Sequence, residues 1–259
     1  MILSGGQPYL LPGGPFGCLL IHSFASSPQE MRWLGTQLNQ NGFSVLAIRL
    51  FGHATHPKDL QRARYSDWIA SMEDGFSLLR KQCDKLIVVG ASLGSALVLI
   101  AGAKLSVDAL VAISPPYDLL SYSQTGQLNL PNPVLRMLKL GQRSYRSVSS
   151  LPGPAPQDEI IHLFYPTIPT RAISEIELLL TEMRRVLPSI HVPTLLIHTD
   201  MEKDVQTQGL MQILDRLETK RVNILRIKSS GSEGTLQLER ERVTGAITTF
   251  ITSLPGIQQ

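Results

Sequence analysis

The chain has 259 residues, 43% of them hydrophobic and 17% charged, and a formal net charge of +3. That balance excludes a disordered or collagen-like chain, and so small and dispersed a positive excess gives no footing for a nucleic-acid partner. Two cysteines, Cys18 and Cys83, are too few for a disulfide framework and fit a reducing, cytoplasmic setting.

Residues 1–14 lack the basic start and apolar stretch of a secretory signal. Strands are predicted over 17–22 and 43–48, with a helix over 28–39 between them in which Met31, Trp33, Leu34 and Leu38 recur at helical spacing. A helix over 66–82 opens with Asp67-Trp68 and carries Ile69, Met72, Phe76 and Leu79. Strands 85–89 and 109–114 follow, and after a long gap strands 193–198 and 222–227, with helices over 205–217 and 239–254. All six strands are short and apolar on both faces, the pattern of a mostly parallel sheet covered by helices on both sides and joined by right-handed crossovers. Residues 86–103 form an uncharged run of 18, at the lower limit of a membrane span. Gly90, Ser92, Gly94 and Ser95 in its middle divide it into a buried strand, a turn and a buried helix, so no integral span is expected.

The alternation breaks between residues 118 and 188, where Pro131, Pro133, Pro152, Pro154, Pro156, Pro166 and Pro169 punctuate short apolar stretches and no clean strand appears. This segment reads as a mostly helical cap inserted between two parts of an α/β core, 1–117 and 189–259. Long excursions inside a compact domain are usually functional. Leu163, Phe164, Tyr165, Ile168 and residues 178–180 are apolar enough to line a pocket beneath it, although core packing is the commoner use of such residues.

The sharpest motif is Gly90-Ala91-Ser92-Leu93-Gly94, which follows the apolar run Leu86-Ile87-Val88-Val89 and opens a run of small and aliphatic residues. Strand, tight turn and helix are the context of a nucleophile elbow, in which a strained serine stands out of the sheet's C-terminal edge. Any side chain at Gly90 or Gly94 is then expected to collide with the neighbouring helix and strand. The alternative is a merely structural glycine turn. A dinucleotide loop needs glycine where Ser92 and Ser95 stand, and a P-loop needs lysine at Ser95.

With these residues the chain resembles the α/β-hydrolase fold family, in particular its small carboxylesterase and monoacylglycerol-lipase-like group, over roughly residues 15–254. Cys18-Leu19-Leu20-Ile21-His22-Ser23-Phe24 is similar to the family's strand and oxyanion turn, and Arg49-Leu50-Phe51-Gly52-His53-Ala54 to its glycine–histidine loop. Asp67-Trp68 and Ile113-Ser114-Pro115 fall in step. Thr199-Asp200-Met201-Glu202-Lys203-Asp204-Val205 matches the spacing of the acid loop, and Ser230-Gly231-Ser232 stands where the family writes Ser-Gly-His. The resemblance implies an uncharged ester with a hydrophobic acyl chain as substrate, with neither metal nor cofactor. It implies Ser92 as nucleophile, the backbone N–H groups of Phe24 and Leu93 as oxyanion donors, and Glu202 and Ser232 in the remaining triad positions.

Three positions depart from that pattern. Ser23 replaces a glycine, and its Cβ is expected to tilt the oxyanion turn. Glu202 replaces an aspartate. Asp200 and Asp204 flank it as substitutes, and the other reading leaves all three as solvated loop charges. Ser232 replaces the histidine. The six histidines are His22, His53, His56, His162, His191 and His198, so none follows the acid loop, and a serine hydroxyl cannot accept the Ser92 proton near neutral pH. His22 is read as a structural hydrogen-bonder. His53 and His56 would make a metal pair only with a third ligand, which the sequence nearby does not offer. His191 and His198 are read as bracketing a strand, and His162 as the cap residue placed to reach the pocket. Two functions are thus expected: a serine esterase working through a Ser92 acyl-enzyme, or a catalytically impaired homologue that binds a small apolar ligand or a partner.

Overall fold

A computed structural model describes residues 1–119, 144–146, 165, 167–200, 204–219, 221–228 and 239–256. Its strands are β1 (Tyr9–Leu11), β2 (Phe16–Ile21), β3 (Ser44–Ile48), β4 (Lys85–Ala91), β5 (Ala109–Ile113), β6 (Ser144–Arg146), β7 (Thr167–Pro169), β8 (Thr194–Asp200) and β9 (Val222–Lys228). Its helices are α1 (Arg32–Gln40), α2 (Pro57–Arg62), α3 (Tyr65–Arg80), α4 (Leu93–Lys104), α5 (Thr170–Val186), α6 (Asp204–Arg216) and α7 (Arg240–Thr252). The main sheet has seven strands in the order β1-β3-β2-β4-β5-β8-β9, parallel except for β1.

Each central strand sends alternate residues to opposite faces, as the two-residue period of a strand requires. Leu19, Ile21, Leu86, Val88, Leu110, Ala112 and Leu196 join one core cluster with residues of α3, α4, α5 and α6. Cys18, Leu20, Ile87, Val89, Val111, Leu195 and Ile197 join the other, with Leu34 and Leu38 of α1 and Val243, Ile247 and Phe250 of α7. The uncharged run 86–103 is therefore β4, the turn and α4, and every residue from Leu93 to Ala101 is buried. Among the described residues no helix is long and apolar enough to cross a membrane. Both cysteines are buried and free.

All six predicted strands form, shifted by a residue or two at their ends. The three-residue β1, paired antiparallel with β3 through Leu10 and Leu46, carries too short a pattern between Pro8 and Pro12 to be read. The absence of strands from 118–188 needs correction: β6 and β7 pair antiparallel, Tyr145 against Ile168. In the same segment α5 buries Ile173, Ile176, Leu179, Leu180 and Met183 in the core cluster that also holds α4, while Leu178 points outward, 49% exposed. Leu179 and Leu180 are thus core residues, and Leu163 and Phe164 lie outside the described residues.

The topology fixes where a site can sit. From β2 the chain turns to α1 on one face, and from β4 to α4 on the other. The C-terminal ends of these adjacent strands therefore flank a topological switch point, where open α/β sheets bind their ligands.

Candidate active site

At the end of β4, Ser92 adopts φ 50° and ψ −115°, a region that costs a non-glycine residue on the order of 1–3 kcal/mol. Its N–H donates to the Ile113 carbonyl at 2.8 Å, and its own carbonyl accepts from the Ser95 N–H at 2.9 Å and from the Ser95 hydroxyl. The flanking glycines make this turn possible. A Cβ on Gly90 would lie 2.4 Å from the Gly94 carbonyl oxygen, and one on Gly94 would lie 2.4 Å from the Ile21 oxygen and 2.7 Å from that of His22. Backbone cannot yield as a side chain can. Gly94→Ala is accordingly expected to cost about 3 kcal/mol or more, or to prevent folding. Gly245→Ala, in the exposed middle of α7 where a Cβ meets nothing within 4 Å, is expected to gain up to about 1 kcal/mol. Denaturant midpoints of the two variants check both signs.

Strain of this kind recurs along the same edge. The positive-φ non-glycine residues among those described are Ala25 (58°), Ala54 (51°), Ser92 (50°) and Ser114 (49°), each just beyond a strand of the set β2, β3, β4 and β5. Across the switch point from Ser92 lies the turn His22-Ser23-Phe24-Ala25. The His22 ring is fully buried. Its Nε2 accepts from the Leu50 N–H at 3.2 Å, which leaves the proton on Nδ1 to be donated to the Ser23 carbonyl at 2.7 Å. This is the structural role expected of it. The Ser23 hydroxyl anchors the turn, donating to Glu30 Oε1 at 2.8 Å while the Ser23 N–H donates to Oε2 at 2.7 Å. Glu30, a polar position in a helical pattern, carried no signal that marked it in advance. Among the described residues the Phe24 N–H has no acceptor. Leu93 opens α4, so its N–H falls outside the helix's own ladder.

Beneath the turn the Phe24 ring meets His53 and Trp68 edge-to-face, at centroid distances of 5.4 and 5.8 Å. The Asp67-Trp68 pair now has a physical reason. The Asp67 carboxylate accepts from the Arg64 N–H at 2.8 Å at the start of α3, and Trp68 fills this floor while donating to the Phe51 carbonyl at 3.2 Å. Tyr165, within the insertion, is buried too. Its N–H donates to the Ala25 carbonyl at 3.3 Å, and its hydroxyl donates to the Gly52 carbonyl and accepts from the Thr55 N–H, both at 2.8 Å.

His53 and His56 do not converge as ligands: His53 is buried on the Phe51 carbonyl, and His56 caps α2 from the surface by accepting from the Lys58 N–H. His198 does not bracket β8 but lies buried within it, whereas His191 is exposed. Burial holds His22 down to about 4, and burial with the neighbouring His22 ring holds His53 well below the ordinary histidine range. Both rings are therefore neutral at pH 7 and must charge in acid. The unfolded chain takes up the His22 proton near pH 6.5 and the folded one only near 4, so stability present above pH 6.5 falls as pH drops through that window. The loss from His22 is about 3 kcal/mol. Unfolding midpoints measured from pH 7 to pH 4 should show a shallower decline in His22→Gln than in the native protein.

Of the sequence-predicted site residues, Ser92 and Leu93 follow β4 and Phe24 follows the adjacent strand β2, on either side of the switch point. Glu202 and Ser232 lie outside the described residues, as do His162 and the side chains of Asp200 and Asp204. The strands that precede them, β8 and β9, are paired in parallel and end side by side, Asp200 against Lys228.

This is the architecture of an α/β hydrolase with a serine at its elbow. Residues 17–229 match the family model Hydrolase_4, described as serine aminopeptidase, S33, and the chain belongs to that α/β-hydrolase family. It is similar to a thermostable monoacylglycerol lipase of Bacillus sp. (strain H-257), 27% identical over 245 residues that cover 93% of this chain and 92% of that one. It is also similar to a carboxylesterase of Bacillus subtilis (strain 168), 24% identical over 252 residues covering 96% and 97%. A solved structure reported with LipS and LipT, two metagenome-derived lipolytic enzymes, superposes with a TM-score of 0.82 at 24% identity, covering 97% of this chain and 99% of that one.

Proposed function

We propose that the protein is a carboxylic-ester hydrolase of the esterase and lipase type, acting on small uncharged esters with a hydrophobic acyl chain. The observation that carries this reading is the strained Ser92 between Gly90 and Gly94, set across the switch point from the Phe24 turn. Ser92 Oγ attacks the ester carbonyl, the Phe24 and Leu93 N–H groups receive the oxyanion, the alcohol leaves, and water cleaves the acyl-enzyme. Glu202 is the acid and Ser232 occupies the place of the base, so turnover is limited by proton removal from Ser92. Relatives named as a monoacylglycerol lipase and a carboxylesterase support the ester class.

The family description also names an aminopeptidase activity, which needs a carboxylate to hold the substrate's α-ammonium. Two carboxylates are engaged elsewhere, the part-buried Glu30 by Ser23 and the buried Glu175 by Arg64 and the Tyr65 N–H. Turnover of p-nitrophenyl butyrate is therefore expected to exceed that of an aminoacyl p-nitroanilide, and to vanish in Ser92→Ala. Preferred cleavage of the anilide overturns the ester assignment.

A further inference from the structure

The Phe24 N–H can serve an oxyanion only if its peptide plane is held, because in a trans peptide the N–H points opposite to the preceding carbonyl. That carbonyl belongs to Ser23. It accepts from His22 Nδ1 at 2.7 Å and from the Ser26 N–H at 3.3 Å, which turns it inward and sends the Phe24 N–H the other way. The opposite end of Ser23 is held by both carboxylate oxygens of Glu30, one on its N–H and one on its hydroxyl. The Glu30 N–H closes the loop by donating to the Ser27 carbonyl at 3.1 Å. Every backbone torsion between His22 and Phe24 is thus bounded by a fixed hydrogen bond.

We infer that Glu30 is a positioning residue for the oxyanion turn. By gripping Ser23 at N–H and Oγ it fixes the direction of the Phe24 amide, and it makes a serine workable where a glycine-built turn would be free to swing. Glu30 neither touches the reacting atoms nor exchanges a proton with them. Its carboxylate is saturated by the turn itself, and burial, which pushes its carboxyl up, is opposed by the hydrogen bonds from Ser23.

The inference rests on the ester-hydrolase reading, so its test has one arm that needs no turnover. Hydrogen exchange over residues 22–30 is measured in the native protein, Glu30→Ala and Glu30→Gln. The expected result is at least tenfold faster exchange of the turn amides in Glu30→Ala, with Glu30→Gln partly restored because its amide oxygen still accepts one hydrogen bond. Steady-state kinetics on p-nitrophenyl butyrate form the second arm. Glu30→Ala is expected to lower kcat by about 10- to 100-fold with KM within about twofold, since an oxyanion donor acts in the transition state and not on the bound ester. In a Ser23→Gly background the loss should shrink, because the two residues form one unit. Unchanged exchange in a folded Glu30→Ala protein overturns the inference, and so does faster exchange with kcat intact. If the native protein turns over no ester, the hydrolase reading falls, and the exchange arm alone still decides whether Glu30 holds the turn.

Discussion

Replacing Ser232 by histidine should raise ester turnover by about 100- to 10,000-fold, the range that a well-placed general base contributes. Position 232 follows β9, which ends beside β8 on the edge that carries Ser92. In the proposed site an imidazole there would take the Ser92 proton and return it to the leaving alcohol, with Glu202 proposed to orient its other nitrogen. Conversely, loss of such a base can cost a serine hydrolase up to about a millionfold in turnover, so the native chain is expected to be slow. From sequence alone Ser23→Gly is the natural companion change, since it restores the usual glycine. The anchored hydroxyl reverses that expectation: Ser23→Gly releases one Glu30 oxygen, and the double variant should be slower than Ser232→His alone. Ester turnover of the native protein and both variants tests the ranking. A native protein as fast as Ser232→His would mean that another group removes the proton, with His162 the first to examine.

The second large effect separates strain from chemistry at Ser92. Ser92→Ala in the Ser232→His background should abolish the whole gain, because nucleophile and base act as a unit. Ser92→Gly should be equally inactive yet more stable than the native chain by about 1 kcal/mol. Glycine accepts φ 50° without penalty, and the serine is held there against its preference. Urea unfolding of Ser92→Gly and Ser92→Ala reads this difference. Equal stability of the two would show that the elbow stores no strain.

How much of this was legible in the sequence depends on the range of the interaction. The central strands β2, β4 and β5 are read correctly because burial on both faces leaves an apolar run that no neighbour can disguise, whereas the edge strand β9 departs from the expected burial on both faces, with Ile224 exposed. Gly90 and Gly94 are read correctly because only glycine tolerates backbone at 2.4 Å. β1 and the β6–β7 pair are missed because three residues cannot display a period. The Glu30 grip on Ser23 is missed for a different reason. The two residues lie seven apart across a turn, where no regular element brings side chains together, and a glutamate among polar neighbours reads as surface. Tyr165 is a similar case. Its apolar neighbourhood suggests a pocket wall, but the hydroxyl and backbone tie Ala25, Gly52 and Thr55 together over more than a hundred residues of sequence.

The central claim is that Ser92 is a nucleophile beside a working oxyanion site, and covalent capture tests it most directly. The folded protein is incubated with an alkyl fluorophosphonate, whose phosphorus takes the place of the ester carbonyl, and the adduct is located by peptide mass spectrometry. A single adduct on the peptide containing Ser92, absent from Ser92→Ala and formed faster in Ser232→His, is the predicted result. A folded protein that remains unmodified in both the native and the Ser232→His forms, or that carries its adduct on another residue, would contradict it.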